Sequence, residues 1–161
     1  MTSADKFLEL VRHPIKFRLF LLSKLPSAFF SGVRVRYADE EKCVVTVPYK
    51  WFSTNPFHST YFACHSMAAE MSTGVLAMAQ TYQQKPAVSM LVLKVEGSFN
   101  KKATGLTTFV CEDGNIVKQM IREAAASGKA TTATMRSVGK NREEEVIAEF
   151  VVTWSFKVKS K

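Results

Sequence analysis

Ser53-Thr54-Asn55-Pro56-Phe57-His58-Ser59, a short polar and aromatic loop, runs straight into the stretch Thr60 to Gln84, whose only breaker is Gly74. Pro56 excludes helix at Asn55, because its ring crowds the preceding residue, and Ser59 or Thr60 can cap a helix starting just beyond. Residues 58–82 are therefore expected to form one long helix. Phe62, Cys64, Met67, Ala68, Met71, Val75, Leu76 and Met78 put apolar atoms on nearly every side of it. Such a helix is buried around most of its circumference. One carboxylate, Glu70, sits in its middle. Helical spacing puts Ser59, Ala63, Ser66, Gly74, Ala77 and Thr81 on the same side as Glu70. The acid thus lies in a stripe of small residues, where a substrate or a partner helix can come close.

Outward from this helix, the chain reads as short helices and hairpin-linked strands. Upstream, residues 1–30 form a helical segment in which Ser3 caps a first helix and Pro14 opens a second, up to Leu25; Pro26 and Gly32 end it. Val33 to Tyr37 and Cys43 to Tyr49 are β-rich and flank the acidic turn Asp39-Glu40-Glu41, which makes a hairpin. Downstream, Ala87 to Phe99 is a long strand. Its centre, Val88 to Val95, is almost continuously apolar, as expected of a central strand covered by the helix; Lys94 interrupts it and is a candidate partner for Glu70. A basic turn, Asn100 to Gly105, leads to a strand at Leu106 to Cys111. A short helix at Ile116 to Ala126, stopped by Gly128, precedes strands at Lys129 to Val138 and Val146 to Val158, which the charged turn Gly139 to Glu145 joins. Hairpin-linked strands give an antiparallel sheet and an α+β class.

The 161 residues fit one domain, 1–161, and 47% apolar content excludes wholesale disorder. Cys43, Cys64 and Cys111 are odd in number and lack metal-ligand spacing, so they are expected as reduced core residues of a cytoplasmic protein, with no metal site. No apolar run reaches the ~18 residues of a membrane span, and the first residues lack a signal-peptide core. The net charge of +8 favours anionic partners. Basic residues are spread along the chain without an RNA-binding aromatic signature, so nucleic acid is not expected. Residues 3–25, apolar at Leu8, Val11, Leu19, Leu22 and Leu25 and basic between them, are expected to pack as a helix pair on the sheet edge, the alternative being a membrane-surface or acyl-tail-contacting element; membrane contact is not expected.

Two strands, a long buried helix and then four strands is the plan of a hotdog fold, in which a curled antiparallel sheet wraps one helix. Asn55, His58 and Glu70 also resemble the loop Asn, helix-start His and helix acid of thioesterases of the phenylacetate-degradation type. Asn55-Pro56-Phe57-His58-Ser59-Thr60-Tyr61-Phe62-Ala63 together with Ala68-Ala69-Glu70-Met71-Ser72-Thr73-Gly74 resembles an uncharacterised branch of that superfamily, a domain of unknown function. The resemblance spans about residues 15–157. It implies a homodimer or tetramer in which Asn55 of one subunit faces Glu70 of another, with His58 positional. Coenzyme A is implied only as part of an acyl thioester substrate, its phosphates near Arg136, Lys140, Arg142, Lys101 and Lys102. In one departure, Ser59-Thr60 stands where such enzymes carry Gly-Gly, which those enzymes use for close backbone approach to the thioester carbonyl.

The chemistry a thioester needs is one carboxylate to activate water or attack directly, and a donor for the carbonyl oxygen. Glu70 is the candidate for the first. The helix start at Ser59, Thr60 and Tyr61, with its exposed N–H groups, is the candidate for the second. The expected function is acyl-CoA hydrolysis. Two alternatives stand beside it: a hotdog protein that binds an acyl or aromatic ligand without turnover, and a hydratase or dehydratase using His58 with Glu70. His65 falls away from Glu70 and is expected as a core histidine.

Overall fold

A computed structural model describes residues 2–159. The helices are α1 (Ser3–Arg12), α2 (Pro14–Lys24), α3 (Pro26–Ser31), α4 (Phe62–Thr81) and α5 (Gly114–Ser127). The strands are β1 (Arg34–Ala38), β2 (Cys43–Val47), β3 (Val88–Phe99), β4 (Thr107–Cys111), β5 (Thr131–Lys140) and β6 (Val146–Val158). They form one antiparallel sheet in the order β1-β2-β4-β5-β6-β3. All six strands touch α4. The sheet can do so only by curling around the helix, and this is the hotdog arrangement. Alternation along β6 puts Ala148, Phe150, Val152, Trp154 and Phe156 inward, and α4, which packs on β6, buries Ala68, Ala69, Leu76 and Ala77 in the same core. Small residues on the helix let the sheet approach it, while Phe109, Phe150, Phe156 and Met135 fill the remaining volume. Each of these large side chains contributes roughly 1.5–3 kcal/mol on leaving water.

The N-terminal helices follow their caps. Thr2 and Asp5 form a reciprocal capping box at α1, and His13 Nδ1 accepts from the N–H groups of Ile15 and Lys16 at the start of α2. Pro26 opens α3 instead of ending the helical segment, since a proline is tolerated in the first turn. Gly32 then stops α3 in the left-handed region at φ 81°.

Three further expectations change. The central helix begins at Phe62, not at residue 58, because residues 58–61 are tied into the loop by hydrogen bonds. Thr60 N donates to Ala103 O at 2.8 Å, Tyr61 N donates to Ser53 O at 2.7 Å, and Thr60 bridges Thr54. Tyr61 is the N-cap, in extended backbone and with no side-chain capping bond. The second change is at β3, which is an edge strand and not a central one. It pairs only with β6, and Leu91, Leu93, Val95 and Phe99 are exposed. A bulge at Leu93, between Val92 and Lys94, interrupts the register. Finally, Lys94 pairs with its neighbour Glu96 at 2.9 Å, both more than half exposed, and not with Glu70.

Candidate active site

Glu70 lies two turns inside α4, on the side where the helix carries Gly74 one turn on. A Cβ at Gly74 would sit 3.4 Å from Glu70 Oε1 and 3.3 Å from Trp154 Cζ2, so the missing side chain is what leaves room for the carboxylate beside the indole. Trp154 is fixed there. Its Nε1 donates to Thr73 Oγ1 at 3.0 Å, and Thr73 Oγ1 donates in turn to the Glu70 carbonyl at 2.9 Å. The Glu70 carboxylate has no hydrogen bond or ion pair among the described residues. Burial against apolar atoms pushes its pKa up from the ordinary value of 4.5. The acid lines a cavity of about 500 Å³ whose other walls are almost wholly apolar: Phe7, Phe17, Phe20 and Leu25 from the N-terminal helices, Met71, Val75 and Met78 from α4, and Met90 and Trp154 from the sheet. A greasy chain fits such a space, with a single base at its wall.

The Asn55 loop lies elsewhere. Asn55, Ser59, Thr60, Tyr61 and Phe62 line a second cavity of about 560 Å³ with Phe99, Lys101 and Lys102, and Glu70 is absent from its walls. Along α4, Glu70 is eight residues past Phe62, a rise of about 12 Å. One carbonyl in a single chain cannot reach both. The Asn55 side chain is also occupied: Oδ1 accepts from Phe57 N at 2.9 Å and Ser59 N at 3.2 Å, and Nδ2 donates to Ser59 Oγ at 3.1 Å. It shapes its own loop as an Asx turn. His58 is exposed and sits at φ 55°, in the left-handed region where a non-glycine residue is uncommon. The N–H groups of Ser59, Thr60 and Tyr61 are all spent on Asn55, Ala103 and Ser53. Phe62 and Ala63 are the helix-start N–H groups left without an acceptor among the described residues.

The basic candidates divide. Lys101 and Lys102 meet Arg142 and Asn141 around a polar cleft of about 480 Å³. Lys101 is bound to Glu145 at 2.7 Å and Lys140 to Glu144 at 3.2 Å, which leaves Lys102 and Arg142 without a carboxylate partner among the described residues. Arg136 is away from the cleft, mid-strand on β5, and its guanidinium is forked onto Glu149.

His65 is buried as expected, near Thr107 Oγ1 at 3.4 Å and against Phe99 and Phe109, and its Nδ1 has no partner. Burial holds its pKa down to about 4, so the ring is neutral at pH 7. Sequence reasoning passed over Thr73 and Trp154, and over Phe7, Phe17 and Phe20 as cavity walls. Thr73, one turn from Glu70, was the available signal. The alternative of an acyl-tail-contacting segment at residues 3–25 pointed to the N-terminal helices but not to these aromatics, because the α4 residues that close the cavity with them lie more than 40 residues on.

No protein-family model matches the chain, and no curated protein matches its sequence. Solved structures do match. A protein of unknown function from Pseudomonas aeruginosa, described as a probable thioesterase, is 17% identical over 96% of this chain and 95% of its own, with a TM-score of 0.73. A protein of unknown function from Chlorobaculum tepidum is 14% identical over 97% and 94%, with a TM-score of 0.72. A thioesterase from Haemophilus influenzae is 12% identical over 88% and 90%, with a TM-score of 0.62. Across nearly its whole length, this chain has the fold of those proteins: the hotdog, a curled antiparallel sheet around one long helix.

Proposed function

We propose that the chain hydrolyses acyl thioesters, with Glu70 as the base and the apolar cavity as the acyl site. The observation that carries this reading is the carboxylate itself, unpaired among the described residues, half-buried and set in an apolar wall. Charged groups are rarely left so without a use. In the proposed step Glu70 takes a proton from water as the water oxygen bonds to the thioester carbonyl carbon. The C–S bond then breaks, the sulfur leaves as thiolate, and the proton returns to it. A carboxylate whose pKa is raised toward the working pH suits that exchange. The thioesterase names of structural neighbours agree with this class of reaction.

The same reading assigns the oxyanion donors to a second subunit. Within one chain Glu70 and the helix start are about 12 Å apart, and β3 leaves a long apolar edge unpaired. A homodimer joined through β3 would bring Phe62 and Ala63 of one copy toward Glu70 of the other, with Asn55 bracing the loop that presents them. Lys102 and Arg142 are the proposed contacts for the phosphates of coenzyme A. We place the protein in the cytoplasm, where its three buried thiols stay reduced. One observation favours the second reading, binding without turnover: the N–H groups of residues 59–61 already have acceptors within the chain. Incubating the purified protein with acyl-CoA of graded chain length separates the two. Free thiol released in proportion to enzyme supports hydrolysis, while a co-purifying intact thioester with no thiol release overturns it.

A further inference from the structure

The α2 helix is apolar on both sides. Phe17 and Leu21 are buried, yet Ile15 is 66% exposed, Leu19 60% and Leu22 41%. These three stand at i, i+4 and i+7, so they form one stripe on the outer face. At helical spacing Lys16 and Arg18 border that stripe on its two sides. Arg18 is anchored, donating to the Val33 and Phe29 carbonyls and lying 4.0 Å over the Phe29 ring, whereas Lys16 is exposed. The 29 residues from Leu10 to Ala38 contain six basic side chains and no acidic one. At the α1–α2 hinge Glu9 is the one acid, among Lys6, Arg12 and Lys16. The adjoining α3 and the turn at Trp51–Ser53 add exposed aromatics: Phe30 stacks on Phe52, and Trp51 meets Phe52 edge-on. An exposed apolar stripe flanked by positive charge, with aromatic neighbours, is the chemistry of a helix lying in a lipid headgroup layer. No helix among the described residues is long and apolar enough to cross a membrane, so the geometry is that of lying on the surface.

We propose that α2 docks on an anionic lipid bilayer, with Ile15, Leu19 and Leu22 inserted at the headgroup boundary and Lys16 against lipid phosphates. The opposite face of the same helix supplies Phe17 and Phe20 to the wall of the Glu70 cavity, and Leu25 follows at its end. Docking therefore sets the cavity next to the membrane, and the acyl groups it takes are drawn from that surface. That supply of acyl groups rests on the cavity being the acyl site; the docking itself does not.

Sedimentation of the full chain with vesicles tests it, using phosphatidylcholine alone and phosphatidylcholine with about 30 mol% phosphatidylglycerol. The wild type is expected to pellet with the anionic vesicles, less so as salt rises. The double variant Leu19→Gln/Leu22→Gln should bind at least about tenfold more weakly. Its hydrolysis of a soluble short-chain acyl-CoA should be unchanged, since neither residue lines the cavity. No binding to anionic vesicles, equal binding by the variant, or a variant that instead loses self-association in solution would each overturn the docking. A wild type that binds anionic vesicles through this face but hydrolyses no acyl-CoA supports the docking and removes only the hydrolase reading.

Discussion

Replacing Glu70 by glutamine should make the protein more stable at neutral pH. The carboxylate has no partner among the described residues, and its surroundings, Trp154, Met71 and Val75, disfavour the charge. Because the folded pKa lies above the ordinary 4.5, the native state holds a proton in the intervening pH window that the unfolded chain has lost. Native stability thus falls as pH rises through that window and stays reduced above it. Glutamine keeps the shape and sheds the charge, so it escapes this loss. The two proteins should match below the ordinary glutamate value and separate as pH rises, by about 1.4 kcal/mol for every factor of ten by which the site weakens ionisation. No cation is stranded, since Lys94 has Glu96. Urea unfolding of both proteins at several pH values on either side of the ordinary glutamate value reads the difference directly. A variant that is less stable at neutral pH, by the roughly 3–5 kcal/mol of a broken buried ion pair, would show that Glu70 has a charged partner after all.

The proposed shared site and its phosphate contacts can each be tested by substitution. Lysine at both Leu91 and Val95 on the β3 edge should shift the protein to monomer in sedimentation and lower hydrolysis with it; a monomeric variant of full activity would refute the shared site. Binding of coenzyme A should weaken as salt rises. Lys102→Ala and Arg142→Ala should weaken it more than Lys140→Ala, whose lysine is already tied to Glu144; titration calorimetry showing equal effects would exclude the cleft.

Much of the fold was legible in the chain because it rests on local rules. Glu70 was conspicuous as the one acid in an apolar helix, and Pro14, Gly128 and the alternation of β6 marked their elements through backbone chemistry and period alone. The hidden features depend on residues far apart. The Ser59-Thr60 capping signal lost to hydrogen bonds of Ser59 with Asn55 and of Thr60 with Ala103, the latter 43 residues from Thr60. The apolar run of β3 reads the same whether its own chain covers it or not, so an edge strand passed for a central one. Arg136 looked available because Glu149, its partner across the β5–β6 hairpin, is visible only in the strand register. In α2 the apolar residues were plain, but which of them face outward depends on where α4 lies.

Turnover of acyl-CoA by Glu70→Gln beside the wild type, each preparation shown to be folded by its own thermal unfolding curve, decides whether this acid is the base. If it is, kcat should fall by roughly 10² or more, with KM little changed, because the lost group acts on the reacting water and not on the acyl chain. Undiminished hydrolysis by a folded Glu70→Gln protein would contradict that role and move the chemistry away from this helix.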